Sequence, residues 1–365
     1  MFTPNQKRNI GKILPFGILW LVFGLLYAFL EKGLLGDLKF YPTTQNAYDF
    51  GNSLIVTATG TLIMGLIMGT FEVLYLSKKF ANQSFGIKFF LKNLIYLFAI
   101  CTFLILLTFT SNSFAMDLSP FDPLVMESMS NFLFTSFVFW SIVLYTGAMI
   151  AITLFVSEIS DNLGQGVLVN FLTGKYHKPR VEERIFMFLD MKASTTIAEK
   201  LGHVRYYELL NEYYADITGA ILQTAGRIYQ YVGDEVIVRW SIKDGIRDNN
   251  CLNCFFLIKR ILKDKANKYH GKYGVVPGFK AGFHYGKVTM GEIGVVKKEI
   301  IFTGDVLNTT ARIQGLCNSF EVDLLLSEDL LNLLDNSGEY QSKEIGETEL
   351  RGREEKINLF TVSEK

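Results

Sequence analysis

Two acids stand where a chain places residues that must meet something outside its own core. Residues 185–195 read IFMFLDMKAST, an apolar run that ends on Asp190 and a short polar turn. Residues 228–238 read IYQYVGDEVIV, with Asp234 after Gly233 in a tight turn between two apolar runs. Taken singly, each reads as an ordinary turn or capping residue, Asp190 beside Ser194 and Thr195, and Asp234 after a hairpin glycine. Taken as a pair at one sheet edge, they are hard oxygen ligands for Mg or Mn, ions that favour carboxylates plus substrate phosphates over an all-protein cage.

Whether they form a pair depends on the elements that carry them. The hydrophobic pattern predicts a strand at about 184–190 and an amphipathic helix at 203–224, with Tyr206, Leu210, Tyr213, Ile217 and Ile221 at helical spacing. Two strands around Gly233 and Asp234 follow, then a helix at about 249–268 and a strand at about 278–285. This is the βαββαβ order of a ferredoxin-like α+β domain. In that sheet the first and third strands are central and antiparallel neighbours, so the end of one lies beside the start of the other. Asp190 and Asp234 are therefore expected at the same edge.

The charge distribution separates this half from the rest. Of 36 Lys+Arg and 36 Asp+Glu, residues 1–157 hold only 9 and 7, leaving 27 and 29, a formal charge of −2, for the remainder. Such a balance lacks the long-range field that draws proteins to nucleic acid. Apolar runs at 13–30, 50–71, 93–116 and 128–157 each reach the roughly 18–20 residues that cross hydrocarbon as a helix. The chain thus reads as an α-helical membrane domain of four transmembrane helices at 1–157, a coupling linker at 158–183, and the α+β domain at 184–365.

Lys7, Arg8 and Lys12 precede the first span, and Lys78, Lys79, Lys88 and Lys92 read as the loop between the second and third. By the positive-inside rule both termini face the cytoplasm, with lipid around the spans. Gly65 and Gly69 form a small-xxx-small pair open to another helix. Glu72 is read as reaching the interface near Lys78 and Lys79. The four cysteines read as reduced thiols, with Cys251 and Cys254 at helical spacing in a core rather than in a zinc site.

With FLDMKAST, YVGDEV, GFHYGKVTMGEIG at 282–294 and GDVLNTTARI at 304–313, ending near LRG at 350–352, the second half resembles the catalytic domain of class III nucleotide cyclases, in the form of bacterial members with several spans ahead of one cyclase domain. The resemblance implies that Asp190 and Asp234, with the Met191 carbonyl as a further ligand, hold two Mg or Mn ions. It implies that the turn with Ser194 and Thr195 cradles phosphate oxygens. Asn308 and Arg312 match the pair that the family sets on a helix after a glycine turn, to steer ribose and stabilise charge on phosphorus. Arg351 stands where a phosphate-gripping lysine usually follows a strand.

Two departures qualify the likeness. Ala193 occupies a position where family members often have glycine. Gln230 and Ile301 replace the base-reading pair, commonly Lys with Asp or Thr in adenylate cyclases. Gln230 can donate or accept, so it suits either purine. The resemblance implies a homodimer that makes cyclic AMP from ATP, with guanylate or mixed specificity on GTP as the alternative, and an upstream signal that the sequence does not name. From a different class, the membrane half would be a receptor or transporter carrying a non-catalytic nucleotide-binding domain. A dinucleotide cyclase of the GGDEF type shares the core topology, but VGDEV lacks the paired glycines. Among the glycines, Gly286 is expected in a tight turn between strands. His284 is expected to be packed, and no histidine is assigned as a general base. The tyrosine-rich helix with Tyr206, Tyr207, Tyr213 and Tyr214 is expected to help form the dimer contact.

Overall fold

The computed structural model describes residues 3–40, 47–81, 83–135, 137–164, 166–296, 298–335, 339–349 and 356–365. Residues 7–169 form one compact unit and 170–365 another.

The first unit is built on α1 (Pro4–Leu35), α2 (Phe50–Phe71), α3 (Phe85–Met116) and α4 (Phe137–Leu163). All four are long and apolar enough to cross a membrane. Helical turns precede the fourth within its apolar run. Asp122 caps a two-turn helix, Pro123–Ser130, by accepting from the Leu124 amide at 3.0 Å, and that helix passes directly into a π-type turn, Asn131–Thr135. Proline suits that first turn because its missing N–H would have no partner there anyway.

Gly65 and Gly69 do admit a neighbour. A Cβ on Gly65 would lie 2.7 Å from the Phe16 carbonyl oxygen, and one on Gly69 would lie 2.9 Å from the Phe16 Cβ, so α1 crosses α2 backbone to backbone. Two expectations here are overturned. Glu72 does not reach an interface, being 1% exposed inside the bundle. Lys88 and Lys92 are not loop residues: both lie on α3, and Lys92, two turns in, is also 1% exposed. The basic run around it invited the loop reading, and acids from two other helices draw it inward.

The stretch 158–183 expected as a linker carries regular structure at both ends. Helix α4 continues to Leu163, a short helix spans Val167–Leu172, and β1 begins at Arg180. The second unit then runs β1 (Arg180–Met191), α5 (Ser194–Leu201), α6 (His203–Gln223), β2 (Arg227–Val232) and β3 (Glu235–Ser241). It continues through α7 (Asn250–Asp264), α8 (Ala266–Tyr273), β4 (Phe279–Ile293), β5 (Glu299–Thr303) and α9 (Asp305–Gly315), and closes with β6 (Leu324–Ser327), β7 (Tyr340–Glu349) and β8 (Lys356–Glu364). The single helix expected at 249–268 is thus two, parted at Lys265.

These strands form one sheet in the order β2-β3-β1-β4-β6-β8-β7, with β5 paired to β4. The first four positions carry the ferredoxin-like core. Alternation along β1 feeds two faces. Ile185, Met187 and Leu189 enter the core under α6 and α7, while Phe186 and Phe188 pack with Val288, Phe302 and Val306 on the α9 side.

Gly286 is not at a turn, because β4 passes straight through it. A Cβ there would sit 2.9 Å from Val306, and one on Gly282 only 2.3 Å from the Gln314 amide nitrogen. Both glycines let α9 lie directly on β4, and that contact fixes which residues of α9 reach the sheet edge.

Candidate active site

Asp190, one residue from the end of β1, is paired in register with Glu235 on β3 and Lys280 on β4. Asp234 occupies the two-residue turn before β3, where Gly233 supplies the positive φ of +63° that a hairpin of this length requires. The two acids meet at one edge as their strand order implies. Burial raises the Asp190 pKa, and a hydrogen bond with Asp234 and its charge raise it further; Lys280, 3.4 Å away, acts the other way. Burial pushes Glu235 up to about 7, helped by the charges of Asp190 and Asp234.

Several partners of these acids were not read from the sequence. Gln314 Nε2 donates to Asp190 Oδ2 at 3.0 Å. The Tyr214 hydroxyl donates to the Gly233 carbonyl at 2.5 Å, and its ring lies 4.5 Å from that of Tyr231. Tyr206 is close enough to Asp234 for the carboxylate to help raise its pKa, after burial, while a hydrogen bond with Ser194 opposes the shift. The α6 tyrosines expected at a dimer contact differ in burial. Tyr213 is fully buried, Tyr206 and Tyr214 brace the acid turn, and Tyr207 alone among the four is well exposed, at 67%.

After β1 the chain turns sharply. Ala193 sits at φ +52° and ψ +31°, the left-handed region where a Cβ is disfavoured, and α5 starts at Ser194. Ser194 is half-buried and Thr195 exposed at the start of that helix, whose first amides have no helical acceptor. The Met191 side chain is buried, which leaves its backbone carbonyl as the group able to serve an ion. Gln230 is exposed beside a bulge in β2, and Ile301 is half-buried on β5. Between them the Tyr229 hydroxyl accepts from the Phe302 amide at 3.2 Å and ties β2 to β5. Arg351 lies outside the described residues.

Asn308 and Arg312 are on α9, exposed and half-buried respectively. At about 100° per residue they project roughly 120° and 160° around the helix from Gln314, the residue that touches Asp190. Among the described residues, neither makes a hydrogen bond or ion pair with Asp190 or Asp234, and Arg312 Nη1 is buried without a hydrogen-bond partner.

The donor set fits a divalent ion completed by substrate. Two neighbouring carboxyls, one with its charge disfavoured by burial and by the other, would both gain from a cation. Among the described residues no group of three or more His, Cys, Asp or Glu could close around an ion alone, which leaves positions for phosphate and water. Glu235 adds a pH signature. Because its proton is held up to about pH 7 and leaves more readily beside a bound cation, Mg or Mn affinity is expected to rise with pH across that range. Titration calorimetry on Glu235→Gln should give a flatter pH profile, and an unchanged profile would separate Glu235 from the ion site.

The other buried candidates serve packing. His284 Nδ1 lies 2.7 Å from Ser327 Oγ within the sheet. Cys251 and Cys254 are free and buried, which pushes both thiols up to about 12.

Comparison with known proteins agrees with this architecture. The model of the family described as adenylate and guanylate cyclase catalytic domain matches residues 176–364. Adenylate cyclase 2 of Rhizobium meliloti (strain 1021) is 34% identical over 223 residues, covering 61% of this chain and 61% of that protein. An adenylate cyclase of Anabaena cylindrica is 26% identical over 183 residues, covering 48% of this chain and 36% of that protein. The chain thus spans less than two thirds of the length of these relatives. A solved bacterial light-regulated adenylyl cyclase matches with a TM-score of 0.52 at 20% identity, over 60% of this chain and 64% of that one, a likeness of fold.

Proposed function

Because the chain belongs to the adenylate and guanylate cyclase catalytic domain family, we propose that it converts ATP to 3′,5′-cyclic AMP and pyrophosphate at sites shared by two copies, held in a membrane by α1–α4. The observation that carries this reading is the Asp190–Asp234 edge, together with Asn308 and Arg312 turned away from it on α9. One chain offers the acids and a second offers the asparagine and arginine. The basic residues Lys7, Arg8, Lys12, Lys78 and Lys79 support cytoplasmic termini and a cytoplasmic catalytic domain.

Asp190, Asp234 and the Met191 carbonyl would hold two Mg or Mn ions. When bound, such ions sharpen the attacking 3′-oxygen and neutralise charge on the phosphates and the leaving pyrophosphate. Lys280 and Gln314 fix the Asp190 carboxylate, while Tyr214 holds the Gly233 turn that presents Asp234. The first amides of α5, with Ser194 and Thr195, would meet phosphate oxygens. Arg351 would add a cation to the terminal phosphates. From the second chain, Asn308 would orient ribose, and the unpartnered Arg312 guanidinium nitrogen would find its acceptor on the reacting phosphate.

The adenylate cyclases among its relatives favour ATP as substrate. Gln230 and Ile301 favour a second reading, a cyclase with mixed ATP and GTP use, since neither can present a charged complement to one purine. The full-length protein in lipid vesicles, given ATP or GTP with Mn, tests both readings through the cyclic product identified by mass spectrometry. Absence of either product would leave the receptor or transporter alternative. Gln230→Lys combined with Ile301→Asp is expected to raise the ATP to GTP ratio of kcat/KM by about tenfold, the scale of one net hydrogen bond of roughly 1 to 1.5 kcal/mol. A constant ratio would mean that these positions do not meet the base.

A further inference from the structure

Inside the first unit, three buried charged side chains from three helices meet, with a fourth, partly exposed, beside them. Lys92 Nζ on α3 donates to Glu72 Oε1 at 2.6 Å and to Glu158 Oε1 on α4 at 2.5 Å. Lys88, one turn earlier on α3, lies 3.4 Å from Glu158 Oε2. Glu72 also accepts from the Tyr96 hydroxyl at 3.1 Å and from Ser77 Oγ at 2.9 Å. The backbone accommodates this focus: directly after α2, residues Glu72–Leu76 widen into a π-type turn, a feature that often marks functional positions.

The arrangement has a hub. Lys88, Lys92 and Tyr96 all stand on α3, and the acids they hold stand at the end of α2 and in the last two turns of α4. Helix α4 is the element from which the chain proceeds to β1. Stability alone does not account for the cluster, because a buried ion pair is commonly matched or exceeded by well-packed apolar side chains. Ionisable groups within membrane helices are also expensive to retain. Such a network does select one arrangement of its helices over near alternatives, since each displaced partner leaves a buried charge unmatched.

We propose that Glu72, Lys92 and Glu158 form a charge clamp that fixes α4 against α2 and α3, and that opening or closing this clamp is how the membrane unit sets catalytic output. The part concerning output rests on the cyclase reading above; the part concerning helix position does not.

The test uses the full-length protein in lipid vesicles, with spin labels at Lys78→Cys and Leu163→Cys and with Cys101→Ser. Lys92→Met should shift and broaden the distance between the labels and change cyclic nucleotide turnover about threefold or more, the size of a modest population shift. Glu72→Gln/Lys92→Met/Glu158→Gln removes the three buried charges, leaves only the partly exposed Lys88, and should recover thermal stability while turnover stays altered. That last result separates a device from a structural support, for which stability and turnover would return together. If Lys92→Met does not fold, the triple variant and Glu158→Gln carry both readouts. An unchanged label distance overturns the clamp, and an altered distance with unchanged turnover overturns its control of catalytic output. A wild-type protein without cyclase activity would sink the functional proposal instead, and the label distances would still report on the clamp.

Discussion

Asp190→Ala or Asp234→Ala is expected to lower cyclase turnover by about 10³-fold or more, because each deletes half of the carboxylate pair proposed to hold two ions. The same change should cost almost no stability. Asp190 pays for its position: burial and the neighbouring Asp234 both oppose its charge, so alanine relieves repulsion while it loses the contacts to Gln314 and Lys280. The melting temperature of the metal-free protein should stay within about 3 °C of the parent, the shift that ~1 kcal/mol produces in a domain of this size. Asp190→Asn is the stricter variant, since its amide oxygen can still accept from Gln314 while it is a far weaker ion ligand. Turnover near the parental rate in Asp190→Asn, with Mn affinity unchanged by calorimetry, would remove Asp190 from the site.

That contrast between activity and stability reflects which parts of the site were legible in the sequence. Asp190 and Asp234 could be read because each ends or interrupts an apolar run, a local signal. Their proximity could be read because βαββαβ order makes β1 and β3 neighbours. Lys280 and Gln314 could not, since one reaches Asp190 through strand register and the other through a helix resting on Gly282. Both depend on contacts across 90 residues or more of chain, with no periodic pattern to announce them.

The errors have a similar origin. Lys92 reads as a loop lysine because charge near an apolar run ordinarily marks its edge, and only the two glutamates from other helices reverse that inference. Tyr206 and Tyr214 read as contact residues because tyrosine suits contact surfaces; within the chain the Tyr214 hydroxyl also holds the Gly233 turn and Tyr206 bonds to Ser194. Ala193 shows sequence and structure agreeing on a departure. Where family members often have glycine, this chain bends at φ +52° with a side chain present, so the turn holds some backbone strain.

A shared site makes a prediction that no single-chain site makes. Full-length Asp190→Ala and full-length Asn308→Ala should each be inactive, and co-expressing or mixing them in one membrane should restore turnover. In the mixed pair, one site combines the damaged acid edge of the first chain with the damaged α9 of the second, and the other site carries neither lesion. Random pairing at equal amounts makes half of the dimers mixed, each with one working site of two, so about one quarter of wild-type turnover should return. Asn308 is exposed and has no hydrogen bond to the acid edge of its own chain, so alanine there should leave the fold intact. Asp234→Ala mixed with Arg312→Ala should behave alike, whereas Asp190→Ala with Asp234→Ala should restore nothing, because both lesions fall on the same half of every site. Tagged chains that co-purify yet stay inactive in the first two mixtures would show that Asn308 and Arg312 act within their own chain, and α9 would then have to rotate by roughly 120° or more to bring them towards Asp190.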